Sequence, residues 1–294
     1  MQTKQQIERL LGSAGVSPNH RLGQHFLIDL NLMRLLIESA GIQCDDIVLE
    51  VGCGTGSLTE GLAEVAGRVI AVEYDDTLAQ IASRQLGNCG NAEVVNSDVL
   101  ENKNAICGEV LIAIERARSD FDGRLMLAAN LPYSVAAAVM ANLISGPVVA
   151  EGMYVTVQKE VADRCTADPG GKHYGTLSIL MGATGEAKII RKLKPSVFWP
   201  RPAVESAMMS FVRNEEKVGQ IHNIDFFREV VSLFMGHRRK MLKACVKLAE
   251  GRLEKVRDWG DIFSRAFVEA HHRPEELSAE NYISIANLCY EQLH

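Results

Sequence analysis

The chain has 294 residues, 47% of them hydrophobic and 23% charged; that length predicts about two domains and a core that needs no covalent staples. Its 31 basic and 37 acidic side chains leave a net charge of −6, which taken whole argues against a nucleic-acid partner. Seven scattered cysteines, with no CxxC and no Cys/His cluster at zinc-ligand spacing, read as buried thiols in a reducing compartment and offer no metal site.

The opening segment, MQTKQQIERL, reads as a helical extension and has no apolar h-region, so no secretory signal is expected. Strands are predicted at Ile47–Val51, Val69–Val72, Ala92–Val95, Leu125–Ala128 and Met153–Val157. Helices are predicted between them at Ser57–Glu64, Asp75–Leu86 and Ala136–Ile144. From Leu125 to Ala150 there is no charge, enough for a membrane span, but Asn130, Pro132, Asn142 and Pro147 break the run. A cytoplasmic protein is therefore expected. The alternation predicts an α/β fold with a doubly wound parallel sheet, one edge closed by a hairpin near Lys188–Leu193 and Ala207–Val212. After Arg213 the texture changes. A polar linker, Asn214–Gln220, leads into helices only: Asp225–Leu248, with Phe226, Phe227, Val230, Val231 and Phe234 on one face, and Ala279–Leu293. The predicted domains are 1–213 and an all-α domain at 221–294.

Glu50-Val51-Gly52-Cys53-Gly54-Thr55-Gly56 ends a strand and opens a helix. Its glycines allow a tight turn and close approach of a ligand. Unlike a GxGxxG dinucleotide loop, the third glycine comes one residue early, with Ser57 in its place. Glu73, 21 residues after Gly52, ends the next strand where an acid can hold ribose hydroxyls. Asp98 follows the third strand, where an acid can accept from an adenine amino group. This set resembles the S-adenosylmethionine site of Rossmann-like methyltransferases.

Asn130-Leu131-Pro132-Tyr133 follows an apolar strand and precedes a helix, at the carboxyl end of the sheet where ligands bind. Pro132 helps expose the Leu131 carbonyl, which with the Asn130 side-chain oxygen makes two acceptors for one NH₂ group. An exocyclic adenine nitrogen is a poor nucleophile, because its lone pair is delocalised. Two acceptors on its hydrogens favour a more tetrahedral nitrogen and aim its lone pair, so alignment and electrostatics carry the reaction. Tyr133 can stack on the base.

With these elements the chain resembles the KsgA-type ribosomal RNA adenine dimethyltransferases from about residue 20 to 285. The resemblance is carried by Leu22-Gly23-Gln24-His25-Phe26-Leu27, Gln158-Lys159-Glu160-Val161, Tyr174-Gly175-Thr176-Leu177-Ser178 and the run Val197–Ser206. FMGHRRK (Phe234–Lys240) and RPEELS (Arg273–Ser278) extend it toward the C-terminus. The resemblance implies a Rossmann-like methyltransferase sheet that uses S-adenosylmethionine to dimethylate two adjacent adenines near the 3′ end of small-subunit rRNA, during small-subunit assembly. It places His25, Leu27, Gly52, Glu73, Asp98 and Asn130 around the cofactor. It places Asn130, Leu131, Pro132 and Tyr133 on the target base, with Phe198 as a second aromatic wall. The chain departs from the family at His25, where asparagine is usual, and at Cys53, where proline is common. A monomer acting on a pre-30S particle is implied. The rival readings are a large-subunit rRNA adenine methyltransferase of the macrolide-resistance type and a non-catalytic nucleic-acid-binding assembly factor.

Splitting the charge changes what it says about RNA. Residues 1–220 carry 20 basic and 26 acidic side chains, and residues 221–294 carry 11 of each. Lys188, Arg191, Lys192, Lys194 and Arg201 form one acid-free stretch. Another runs from His237 through Arg238, Arg239, Lys240, Lys243 and Lys247. In the second, Arg238, Arg239, Lys240 and Lys243 are the expected phosphate contacts.

Overall fold

The computed structural model describes residues 1–19 and 23–294, so Leu22 of the LGQHFL motif lies outside the described residues. Eleven strands are found among them: β1 (Phe26–Leu27), β2 (Ile47–Val51), β3 (Arg68–Glu73), β4 (Ala92–Asn96), β5 (Leu100–Asn102), β6 (Ala105–Ile106), β7 (Leu125–Asn130), β8 (Gly152–Gln158), β9 (Gly185–Leu193), β10 (Phe198–Trp199) and β11 (Ser206–Arg213). Seven of them form one sheet in the order β4-β3-β2-β7-β8-β11-β9. The first five are parallel and β11 runs antiparallel to β8, so the expected parallel sheet with a closing edge is present. Every residue of β2 is buried, as a strand covered on both faces requires. Lys188, Arg191 and Lys192 lie on β9, the edge strand, where exposed basic side chains also discourage pairing with another sheet, and Lys194 follows its end.

Helices α1 (Lys4–Ser13), α2 (Leu30–Ala40), α3 (Ser57–Ala63), α4 (Asp76–Gln85), α5 (Gly108–Arg118) and α6 (Ala136–Ser145) accompany these strands. Capping sets their starts: Asp29 accepts from the Asn31 and Leu32 amides, and Asp75 from those of Thr77 and Leu78. Helices α2 to α5 pack on the sheet.

The remaining helices are α7 (Lys159–Cys165), α8 (Thr176–Thr184), α9 (Glu215–Val218), α10 (Ile224–Gly236), α11 (Leu242–Cys245), α12 (Trp259–Arg265) and α13 (Ala279–Leu293). The chain divides into two compact units. One holds residues 1–143, 147–162 and 188–212; the other holds 144–146, 163–187 and 213–294. Residues 163–187, expected with the larger domain, belong to the second unit because α8 packs on α10 and α13. The core of that unit is aromatic: the Phe234 ring lies 6.0 Å from Trp259, 6.3 Å from Phe263 and 6.2 Å from Tyr282. All five apolar residues expected on one face of α10 are fully buried.

The helix expected over 225–248 is interrupted. It ends at Gly236, and the Leu242 and Lys243 amides donate to the His272 and Ala270 carbonyls instead of continuing the helical ladder. The expected linker 214–220 contains α9, started by the Asn214 side chain accepting from the Lys217 amide. No helix among the described residues is long and apolar enough to cross a membrane.

Candidate active site

Strand β2 lies between β3 and β7, so the order of the sheet reverses there and leaves a crevice beyond the carboxyl ends of β2 and β7. A cavity of about 320 Å³ occupies that position. It brings together all six residues expected around a cofactor: His25, Leu27, Gly52, Glu73, Asp98 and Asn130. It also brings the whole of Asn130–Tyr133 to the same wall.

The glycine loop is shaped by three left-handed residues, Gly52 at φ 76°, Gly54 at φ 60° and Gly56 at φ 82°. A Cβ on Gly52 would lie 2.7 Å from Cγ of Pro132, and one on Gly54 would lie 2.9 Å from the Phe26 ring. Loop and tetrapeptide are thus in direct contact, which only glycine at 52 permits. Gly52→Ala is expected to weaken cofactor affinity at least tenfold and to lower the melting temperature, measured by titration calorimetry and thermal unfolding.

Glu73, 7% exposed, accepts the Gly54 amide at 2.8 Å and the Asp75 amide at 2.9 Å, and its burial pushes the carboxyl above its ordinary value. A carboxylate has about four acceptor sites, so Glu73 retains acceptor capacity for a ligand in the cavity that it lines. Asp98 is exposed, and its carboxylate accepts the Leu100 amide at 2.9 Å.

Asn130 is held at both ends. Its amide nitrogen donates to the His25 carbonyl at 2.8 Å, and its oxygen accepts from the Thr156 hydroxyl. Thr156 stands opposite it on β8 and is fully buried. One lone pair on the Asn130 oxygen remains for a ligand. The Leu131 amide donates to the Thr156 carbonyl at 3.1 Å. The half-buried Tyr133 shares a 2.7 Å hydrogen bond with the Ser206 hydroxyl, and its ring centroid lies 5.6 Å from that of His25. The His25 ring nitrogen Nδ1 lies 2.7 Å from the Pro200 carbonyl; a carbonyl only accepts, so Nδ1 carries the proton.

Phe198 is not on this wall. It is 1% exposed and packs in the core cluster with Leu27, Met33 and Met208, because β10 pairs with β1 in the register Leu27–Phe198. The side chain alternation of that short ladder turns the Phe198 ring inward. Among the expected RNA contacts, Arg239, Lys240 and Lys243 are exposed. Arg238 is not available in the same way: its guanidinium donates to the Gly171 and Lys172 carbonyls and lies 3.7 Å from Glu275.

Ile7 and Glu50 are among the lining residues that the motifs did not assign to the site. Ile7 of α1 reaches the cavity with nothing in its sequence context to mark it. Glu50, 2% exposed, accepts the Thr59 hydroxyl at 2.6 Å, and burial pushes its carboxyl up to about 8. A lone carboxylate inside the apolar run IVLEV is the signal that could have found it. Cys53 is buried beside both acids, which pushes its thiol well above its ordinary value and makes it no nucleophile. Among the described lining residues there are three acidic side chains, of which Glu50 is held protonated by its burial, and no lysine or arginine. The site suits a cationic ligand.

The ribosomal RNA adenine dimethylase family profile matches residues 15–290. The chain belongs to that family. A ribosomal RNA small subunit methyltransferase A from Alkaliphilus oremlandii is 36% identical over 273 residues, 92% of each chain. Among solved structures, a dimethyladenosine transferase from Plasmodium falciparum superposes with a TM-score of 0.72 at 21% identity, covering 91% of this chain and 98% of that one. The 23S rRNA methyltransferase ErmE superposes at 0.62 with 23% identity, covering 89% and 98%. Both likenesses show a shared fold, and the fold by itself does not choose between subunits of the ribosome. As an rRNA adenine dimethylase the chain is an S-adenosylmethionine-dependent methyltransferase. The acid-lined, lysine-free cavity and the glycine cradle fit that donor, whose sulfonium carries a positive charge.

Proposed function

We propose that this chain dimethylates the N6 amino groups of two adjacent adenines in the 3′-terminal hairpin of small-subunit rRNA, acting as a cytoplasmic monomer on a pre-30S particle. The observation that carries the reading is the pairing, on one cavity wall, of the Asn130 side-chain oxygen and the Leu131 backbone with an acid-lined cofactor pocket. Glu73 would accept from the donor's ribose hydroxyls and Asp98 from its adenine amino group, while Gly52, Leu27 and His25 wall it in. When bound, S-adenosylmethionine supplies an electrophilic methyl group on sulfur. The protein's own part is positional. Asn130 Oδ1 and the Leu131 carbonyl accept from the target NH₂ and orient its lone pair, and Tyr133 stacks on the base. No general base is required, since the proton acidifies as the nitrogen is alkylated.

The small-subunit assignment is supported by the relative's name and by the FMGHRRK and RPEELS matches. Transfer of labelled methyl to undermethylated small subunits, with primer extension to map the nucleotide, tests it. Incorporation into large-subunit RNA instead would move the assignment to the macrolide-resistance type, and no incorporation would favour the binding-only reading.

Tyr133→Ala is expected to lower turnover about 10- to 100-fold while changing cofactor affinity little, the worth of one lost base stack. Tyr133→Phe, which loses only the bond to Ser206, is expected to stay within a few-fold of wild type. Equal loss of turnover and cofactor affinity in the alanine variant would remove Tyr133 from the base-binding role.

A further inference from the structure

Helix α12 ends in a way that the stability of the fold does not explain. Ala266 caps it, and Phe267 follows at φ 57°, with its amide donating to the Ser264 carbonyl at 3.1 Å and the Val268 amide to that of Phe263 at 2.9 Å. This left-handed position just past a helix is where glycine is strongly preferred, because a Cβ crowds the backbone there. The chain places a phenylalanine at it, and the ring is 93% exposed. No other large apolar side chain among the described residues is more than 60% exposed. The residue therefore carries two costs, a strained backbone and a bare aromatic ring in water, with no packing to offset either. An outlier of that kind points to a function outside the fold.

Its neighbours indicate the partner. Two backbone hydrogen bonds, Leu242 to His272 at 2.9 Å and Lys243 to Ala270 at 3.0 Å, lay the basic turn after α10 alongside the segment that follows Phe267. Arg239 and Lys240 are exposed on that turn and Lys243 on α11, and none of the three makes an ion pair among the described residues. Of the carboxylates on the neighbouring segments, Asp261 lies 3.5 Å from Arg265, and Glu269 lies 3.1 Å from the His271 ring. An exposed aromatic beside unmatched cations suits a polyanion with unpaired planar groups, where each base offers a π-face and each phosphate a charge. A rigidly presented ring also loses little conformational freedom when it is covered.

We propose that Phe267 is a stacking platform for an unpaired rRNA base, with Arg239, Lys240 and Lys243 contacting the adjoining phosphates. The proposal rests on the rRNA reading given above and adds to it a second point of attachment, carried by the other compact unit.

The experiment measures binding of a protein-free small-subunit rRNA fragment containing the 3′-terminal hairpin and its flanking strands, over a range of salt concentrations, for wild type, Phe267→Gly, Phe267→Trp and the double variant Lys240→Ala/Lys243→Ala. Phe267→Gly is expected to bind about tenfold more weakly with an unchanged salt slope, while its melting temperature rises by about 2–4 °C. Phe267→Trp is expected to bind at least as well as wild type, and the lysine double variant to bind more weakly with a flatter salt dependence. A glycine variant that is more stable yet binds RNA like wild type overturns the proposal. So does a loss seen on intact subunits but absent on protein-free RNA, which would put a protein against the ring, or a wild-type chain whose self-association the glycine variant abolishes. Methyl transfer to undermethylated subunits, measured in parallel, separates the two claims. A wild type that methylates while Phe267→Gly binds normally removes only the stacking platform. A wild type that binds through Phe267 but transfers no methyl removes only the enzymatic reading.

Discussion

Asn130→Ala is expected to lower the rate of methyl transfer by about 10²–10³-fold, the usual cost of removing one preorganised group from a reacting centre. The residue is fixed before any substrate arrives. The His25 carbonyl takes its amide nitrogen, and the Thr156 hydroxyl donates to its oxygen, so the remaining lone pair has one direction. Truncation removes that acceptor and unties the end of β7 from the segment that carries His25. Single-turnover rates measured at saturating cofactor isolate the chemical step from binding. Thr156→Val provides the control: it keeps the acceptor but releases its orientation, and it is expected to cost about tenfold. An Asn130→Ala enzyme within tenfold of wild type at saturating cofactor would mean that the amide does not align the nucleophile.

How much of this was legible depended on how local the signal was. Strands such as Ile47–Val51 and Leu125–Asn130 are short apolar runs ending in glycine or proline turns, so pattern alone located them and the site at their carboxyl ends. The helix starts expected at Asp75 and Ala279 fall within a residue of those observed, because the caps Asp75 and Ser278 act locally. The break at Gly236 was hidden, since the hydrogen bonds that stop α10 come from residues 270–272, some thirty positions away. Residues 163–187 looked like part of the larger domain because they precede β9 in sequence, whereas α8 owes its place to α10 and α13. Phe198 failed for a similar reason. Motif resemblance put it at the base, but a two-residue ladder with β1 decides which way its ring points. Arg238 matched a basic motif, and only the carbonyls of Gly171 and Lys172 show that its guanidinium is already engaged. The net charge of −6 misled while it was treated as one number; the excess acid includes the cavity carboxylates Glu50, Glu73 and Asp98.

The second large effect concerns Glu50 and pH. Burial dominates its environment, the Thr59 hydroxyl partly offsets it, and the neighbouring Glu73 charge adds to it, leaving the carboxyl protonated up to about 8. The buried Cys53 thiol also faces it, and no cation does among the described lining residues. An acid whose value rises on folding binds its proton more tightly in the native state than in the unfolded chain, where 4.5 is ordinary. Folding stability therefore falls as pH rises from 4.5 to about 8, by about 1.4 kcal/mol per pH unit, and levels off above that. Glu50→Gln keeps an acceptor for Thr59 and has no proton to lose. It is expected to match wild type near pH 4.5 and to be the more stable protein at pH 8, with the difference widening steadily between those pH values, measured by urea unfolding across the range. Shifted acids remote from Glu50 are common to both proteins and cancel in the difference; Glu73, which is coupled to it, titrates more easily once the Glu50 charge is gone. The same residue ties pH to cofactor binding. A cationic ligand in the cavity favours the ionised carboxylate, so wild-type affinity for S-adenosylmethionine is expected to rise with pH toward 8, with proton release on binding. In Glu50→Gln that slope should be shallower, leaving the part that Glu73 contributes. Stability curves for the two proteins that run parallel from pH 5 to 8.5 would show that Glu50 is already ionised in the folded chain.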